Sequence, residues 1–249
     1  DYVVGLYEGD ILVLERVAGA GPGGDTRSRV RARTIAYDEV RHVSVHEELL
    51  AGVLRLGVAR EPFALPYNAV SKDVMGRVVE LIRARYRGAA GDAPAELPPL
   101  ADLEGLSFYL DRLLAHEAAE GSRMRPLACQ PGIALGPIES GSLHRLLFGL
   151  VDLRLLESVH LSDGLELRVV DRGRPYAYRW QTVYGRRETF IPLAHVQGAD
   201  WAGGGTTRTL TVHTGGGDRT WVLTRDADGV SAYVDWLRAR SPAGQPATR

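Results

Sequence analysis

Residues 35–40, IAYDEV, return in altered form as residues 191–196, IPLAHV, with the same first and last residues 156 positions further along. The same shift matches apolar residues downstream without a gap: Leu54 with Leu210, Leu56 with Val212, Val74 with Val230, Val78 with Val234, and Leu81 with Leu237. Self-similarity at a fixed spacing is typical of a duplicated structural unit. Because most matched residues are apolar, the repeat predicts two similar cores rather than a shared catalytic site. Chance agreement between two β-rich stretches is the alternative.

Each half of the repeat begins with the signal of a β-hairpin. An acidic residue followed by glycine, Glu8-Gly9 or Asp163-Gly164, separates two runs of β-forming residues. In the first half the predicted strands are 2–7, 10–17, 27–36, 40–46, 53–59 and 62–67. The period then changes to that of a helix over 72–86, where the residues at helical spacing are Val74, Val78, Leu81, Ile82 and Arg85. Each half is therefore predicted to be a β-rich module closed by an amphipathic helix.

The segment between the halves has a different composition. Residues 88–99 are rich in Ala, Gly and Pro, which is typical of a linker. Residues 125–141 carry three prolines and are predicted to be irregular. A helix is predicted on each side of them, the first along the leucines at 103, 106, 110, 113 and 114, the second over 142–157. The second is too apolar to stand alone in water, so it packs on the modules or binds a partner; its candidate interaction residues are Leu146, Leu147, Leu150 and Leu153.

These signals divide the chain into four parts. Residues 1–88 form the first module, 89–156 the linker and helical connector, 157–240 the second module, and 241–249 a tail predicted to be disordered.

The composition is that of a soluble globular protein. The chain has 249 residues, 45% of them hydrophobic and 24% charged, with a formal net charge of −1. Such a chain has no overall field that attracts nucleic acid, so no nucleic-acid partner is expected. The lone Cys129 allows no intrachain disulfide and suits a reducing compartment. No apolar run reaches the roughly 20 residues of a membrane span. We expect a cytoplasmic location, although a preceding segment or anchor stays open because the chain begins without Met.

The order of signals resembles that of bacterial pleckstrin-homology-like (PH-like) domains in tandem. The clearest matches are residues 189–196, the hairpin of 208–214 and 219–224, and 228–240, whose Trp236 is similar to the tryptophan of the family's closing helix. The first half departs there, with Glu80 at the equivalent position. The resemblance implies a mainly β (α+β) fold with two partly open antiparallel β-barrels, each closed by a C-terminal helix. The helical connector predicted from the leucine spacing would join them. It implies a binding module without naming a ligand.

The sequence offers no motif for catalysis, a metal or a cofactor. A Gly-x-Ser-x-Gly elbow is missing, and Cys129 has no base beside it in the sequence. His42 and His46 lie on a predicted strand about 13 Å apart, too far for one metal ion. The glycine-rich loop 19–24 leads into a strand, whereas phosphate loops lead into a helix. We therefore predict a protein that is not an enzyme and has no cofactor.

One group of residues predicts anion binding. Arg27, Arg29, Arg31 and Arg33 alternate along one strand, so their side chains project from one face about 6 to 7 Å apart. Together with Arg16 on the preceding strand they form a candidate site for anions or lipid headgroups, because guanidinium groups bind phosphate oxygens in two places. The alternative is an ordinary polar strand face neutralised by nearby acidic residues.

The predicted function is a non-catalytic protein-interaction or assembly module. Exposed strand edges, barrel loops and the leucine-rich helix would dock a protein partner or a second copy. Peripheral binding to an anionic membrane through the arginines is the alternative.

Overall fold

The computed structural model describes residues 2–20, 26–59, 61–89, 96–135, 153–178 and 180–240. The fold is mainly β with several antiparallel sheets, which confirms the predicted class. None of the sheets formed by these residues closes into a barrel. The predicted tail, 241–249, lies outside the described residues.

The first unit follows the predicted order of strands and ends in a helix. Its elements are β1 (Tyr2–Leu6), β2 (Asp10–Ala20), β3 (Thr26–Ala36), β4 (Val40–Glu48), β5 (Ala51–Val58), β6 (Phe63–Asn68) and α1 (Lys72–Ala89). A single 3₁₀ turn, Tyr37–Glu39, joins β3 to β4. Alternation of apolar and polar residues therefore located these strands to within a few residues.

The connector contains strands as well as a helix. Its helix, α2 (Phe108–Ala119), begins where the Ser107 hydroxyl accepts a hydrogen bond from the Leu110 amide at 3.5 Å. Strands β7 (Arg125–Gln130) and β8 (Ile133–Ala134) lie where an irregular segment was predicted. Strand β9 (Leu153–Leu155) lies where the second helix was predicted, so that prediction is wrong for these residues; 136–152 lie outside the described residues. The local sequence missed β7 because its partner, β10, is distant in the chain.

The second unit repeats the pairing of the first. Its elements are β10 (Ser158–Ser162), β11 (Glu166–Asp171), β12 (Tyr176–Tyr178), β13 (Arg186–Pro192), β14 (Val196–Ala202), β15 (Thr207–Thr214), β16 (Arg219–Thr224) and α3 (Val230–Arg238). Tyr2 pairs with Glu15 in β1–β2, and Ser158 pairs with Asp171 in β10–β11. The registers of β2–β3, β4–β5 and β5–β6 likewise return, each shifted by 156, in β11–β13, β14–β15 and β15–β16.

The closing helices depart from that shift. In α3 the buried apolar residues are Val230, Tyr233, Val234 and Leu237, and in α1 they are Met75, Val79, Ile82 and Tyr86. Val74 and Leu81 are instead 63% and 52% exposed, so the prediction that they face the core is wrong. Burial of Met75 in place of Val74 means that the helices match at a shift of 155. At this shift the counterpart of Trp236 is Leu81, not Glu80.

One seven-stranded antiparallel sheet runs through both units. Its order is β6-β5-β4-β13-β11-β10-β7, and smaller sheets are β1-β2-β3, β14-β15-β16 and β12-β9-β8. At the junction of the units, β13 pairs with β4, with Phe190 opposite Val43 and Thr189 opposite Ser44. Phe190 also belongs to the hydrophobic core of the first unit. The units are thus joined by backbone hydrogen bonds and by a shared core.

A buried carboxylate provides a second contact between the units. Glu166 of β11 is fully buried. It accepts hydrogen bonds from Arg83 (Nη2 at 2.6 Å), Arg87 (Nη2 at 2.5 Å) and the Tyr86 hydroxyl, all on α1. The Arg83 guanidinium also lies 4.1 Å from the centre of the Phe190 ring. Because two cations face one buried anion, the loss of Glu166 would leave charge uncompensated inside the protein.

Candidate protein-interaction surface

The predicted arginine face lies on β3 and continues the core-facing side of the first sheet. In the β2–β3 pair, Ile35 lies opposite Ile11, Arg33 opposite Val13, and Arg31 opposite Glu15. Side chains directly opposite on antiparallel strands point to the same side. Ile11, Val13 and Ile35 are buried in the first core. The arginines at 29, 31 and 33 therefore extend beyond the core on its own side of the sheet; Arg27 follows in β3, opposite Gly19.

Two of these arginines already contact the segment before β6. Arg33 donates a hydrogen bond to the carbonyl of Glu61, and its guanidinium lies 5.9 Å from the centre of the Phe63 ring. Arg31 lies 3.8 Å from the Glu61 carboxylate with 63% of its side chain exposed. Arg29 is also exposed. Arg29 and Arg31 are therefore better placed than Arg33 to meet an anion from solution.

Arg16 lies on the other side of the same sheet. It is opposite Val30, one position out of phase with Arg29 and Arg31. The structure thus does not bring the five predicted arginines together on one face.

The side that carries Arg16 is apolar, and we call it the outer face. It is defined by Val3, Leu12, Leu14, Val30 and Ala32, since Val3 and Ala32 both lie opposite Leu14. Val3 and Val30 are each 65% exposed. None of the five residues belongs to a hydrophobic cluster of the described chain. The outer face is therefore an apolar sheet surface without a cover among the described residues.

In the second unit, helix α2 covers the corresponding side. The counterparts of Val3 and Leu14 at the shift of 156 are Val159 and Val170, which are fully buried and cluster with Leu110 of α2. Other members of this cluster are Leu103, Leu106, Leu113, Leu114, Met124 and Leu161. The predicted leucine stripe of the connector therefore packs on the second unit.

Charged residues hold α2 in place at the edge of this cluster. Arg168 donates hydrogen bonds to Glu117 of α2 at 2.5 Å and to Glu188 at 2.7 Å. The Arg172 guanidinium lies 5.0 Å from the centre of the Tyr109 ring. The first unit has apolar residues in equivalent positions: Leu12 for Arg168, Val30 for Arg186 and Ala32 for Glu188. The uncovered face thus carries fewer charged residues than the covered one, and Thr34 stands there in place of Phe190.

The predicted leucine site is described only at one residue. Leu146, Leu147 and Leu150 lie outside the described residues. Leu153 is half-buried in β9, opposite Tyr178. Its role in protein interaction stays a prediction.

Several reactive side chains are fixed by packing instead of facing a cleft. Burial lowers the pKa of His42 and His160 to about 3, and at His42 the adjacent Arg219 contributes. Arg219 donates to His42 Nε2, and His160 Nδ1 lies 3.2 Å from the Tyr233 hydroxyl. Burial raises the pKa of the Cys129 thiol to about 11, so its nucleophilic thiolate is scarce near neutral pH. Within the described ranges, no group of three or more His, Cys, Asp or Glu could hold a metal ion.

The outer face was missed at the level of sequence, although a signal exists. The run Ile11-Leu12-Val13-Leu14 is apolar at every position, which is typical of a strand that is covered on both sides. Alternation alone would have given one apolar and one polar side.

Comparison with known proteins provides no functional assignment, so an assignment depends on the geometry of the structure. Among the helices of the described ranges, none combines the length and apolarity needed to cross a membrane. No protein-family model, curated protein or solved structure matches this chain.

Proposed function

We propose that this chain is a non-catalytic protein-interaction or assembly module built from two PH-like units in tandem. The identical strand registers at a shift of 156 support the tandem arrangement. In each unit a three-stranded meander precedes a second meander and a closing helix. Antiparallel strands followed by a closing helix are what the PH-like resemblance implies, although these meanders hold six strands where the family has seven. Partly open barrels, rather than closed ones, are part of this proposal.

The observation that carries the proposed function is the uncovered outer face of the first unit. Val3 and Val30 expose 65% of their surface where the second unit buries its counterpart of Val3 under a helix. Full burial of a valine side chain contributes about 1.5–3 kcal/mol relative to full exposure. Burial of the outer face against another protein surface would therefore stabilise a complex.

Light scattering at low and high salt tests this function, with cosedimentation on anionic vesicles in the same samples. We expect association that persists at roughly 1 M salt, where charge attraction is screened. The double variant Val3→Asp/Val30→Asp should abolish it, because an unpaired carboxylate is costly to bury. A chain that stays monomeric at every salt concentration would contradict an assembly function.

Membrane binding through Arg29 and Arg31 is the second candidate, and the vesicle arm of this experiment distinguishes it. It is favoured by the exposure of both side chains on one side of β3. Vesicle binding only at low salt, lost in Arg29→Glu/Arg31→Glu but kept in Val3→Asp/Val30→Asp, would replace the proposed function. The matched control is Arg77→Glu/Arg85→Glu, which reverses two exposed arginines on α1.

A further inference from the structure

We infer that helix α1 of a second copy of this chain covers the outer face, so that copies associate head to tail. This inference rests on the proposed assembly function and names its partner. Within the described chain, α1 offers a second apolar surface, the helix stripe, defined by Val74, Val78 and Leu81.

The helix stripe has the spacing and exposure needed to lie on a sheet. Residues i, i+4 and i+7 fall on one side of a helix. Val74 is 63% and Leu81 52% exposed, and Val78 is partly buried against the first core. Val70, 77% exposed, precedes Val74 by four residues in the 3₁₀ turn Ala69–Ser71. The stripe is therefore an apolar strip along α1.

The second unit shows both equivalent surfaces occupied by the connector. Helix α2 covers the sheet side. On the closing helix, Trp236 stands at the position of Leu81, and its indole N–H donates a hydrogen bond to the Glu96 carbonyl at 2.7 Å. Leu97 packs against the same hydrophobic core. The two surfaces that the connector occupies in the second unit are thus the two that stay exposed in the first.

A helix fits on this type of sheet, as the α2 contact demonstrates. The leucines at 110, 113 and 114 are spaced by three and four residues along α2, and Leu110 is buried against Val159 and Val170. The β1-β2-β3 sheet has the same registers as β10-β11-β13. Because the outer face replaces charged counterparts by Leu12, Val30 and Ala32, it would accept an apolar stripe without the ion pairs that hold α2.

This contact has a distinct geometric consequence. A helix of one copy on the sheet of the next joins two different surfaces, and such heterologous contacts do not stop at a dimer unless they close into a ring. The average mass should therefore rise with concentration beyond that of two chains. A contact between two outer faces would stop at the dimer.

Mixing two variants tests the pairing of surfaces. Val3→Asp/Val30→Asp alters the outer face and Val74→Asp/Leu81→Asp alters the helix stripe. Each alone should weaken self-association by at least about tenfold, because each places carboxylates in the same contact. An equimolar mixture should form a dimer, since one variant keeps the stripe and the other keeps the face. The control Leu49→Asp/Leu50→Asp, at two leucines that are 69% and 72% exposed elsewhere, should associate like the unmodified chain.

The possible results separate this inference from the proposed function. Dimer formation in the mixture supports the inference and also shows that both variants fold. If the stripe variant associates like the unmodified chain while the face variant does not, the inference fails and the assembly function stands. A monomeric mixture of variants that melt cooperatively by circular dichroism would also overturn the inference, as would an unmodified chain that is always monomeric.

Discussion

At the residue scale, the two units place a histidine and a glycine at one equivalent cross-strand pair, but on opposite strands. In the first unit His42 on β4 lies opposite Gly57 on β5, and in the second Gly198 on β14 lies opposite His213 on β15. The register shifts at the same place in both pairs. A Cβ added to Gly57 would lie 1.8 Å from His42 Cε1, so the imidazole requires the glycine. Each unit thus accommodates one histidine at this irregularity.

The environments of these histidines give opposite pKa shifts. His42 is fully buried, and its pKa is lowered to about 3, mainly by burial. His213 lies near the surface with Asp218 and Asp200 at 2.9 and 3.0 Å, and these hydrogen-bonded carboxylates raise its pKa. His213 therefore adds stability at low pH that is lost as the pH rises through its folded pKa, whereas His42 does the reverse.

Buried neutral histidines should make the protein sensitive to acid. The pKa of His160 is about 3 in the folded chain against 6.5 for the free side chain, so below pH 6.5 the unfolded state binds more protons and stability falls. Relative to His160→Phe, the unmodified chain should lose about 1.4 kcal/mol of unfolding free energy per pH unit between these values. Urea denaturation at several pH values measures this difference. His116→Phe, at an exposed histidine, is the control; a difference independent of pH would contradict the assignment.

At the element scale, α2 covers the second unit and depends on that packing for its stability. Its buried residue is Leu110, while Phe108 at its start is 76% exposed. An isolated helix of this length is marginal in water, so its stability comes from the sheet beneath it.

Truncating the buried leucine should show how much this cover contributes. We expect Leu110→Ala to lower the free energy of unfolding by about 2–5 kcal/mol, because it leaves a cavity between α2 and Val159. The control Phe108→Ala, on the same helix, should change it by roughly 0.5 kcal/mol or less. Guanidinium denaturation compares the two. Equal losses would mean that α2 does not pack on this sheet through Leu110.

At the scale of the whole molecule, Glu166 and the β13–β4 pair predict that both units unfold together. Glu166→Gln leaves Arg83 and Arg87 facing a neutral amide, so it should cost about 3–5 kcal/mol. Glu80→Gln removes the exposed partner of the same Arg83 and should cost about 0–1 kcal/mol.

Two optical probes can follow this unfolding. All four tryptophans lie at or beyond position 180, so their fluorescence reports on the second half, whereas circular dichroism reports on the whole chain. Both transitions should coincide and shift together in Glu166→Gln. A variant in which circular dichroism changes before tryptophan fluorescence would show that the units are independent.

Local pattern alone determined a large part of the architecture. The six strands of the first unit, its helix and the leucine stripe of the connector follow from alternation and helical spacing in neighbouring residues. These features depend on side chains close in sequence, which is why a single chain reveals them. The candidate arginines were likewise placed correctly on β3, but not relative to Arg16.

Tertiary structure alone decided which surfaces are covered. The sequence could not show that β7 joins the edge of β10, that β13 pairs with β4, or that α1 buries Met75 instead of Val74. Each depends on partners far away in the chain, and a shift of one residue along a helix or strand changes which side chains face the core. The apolar run in β2 indicates that both sides of the sheet would be stabilised by burial. Only the assembled fold shows that, among the described residues, nothing covers the outer face, because α2 packs on the second unit instead.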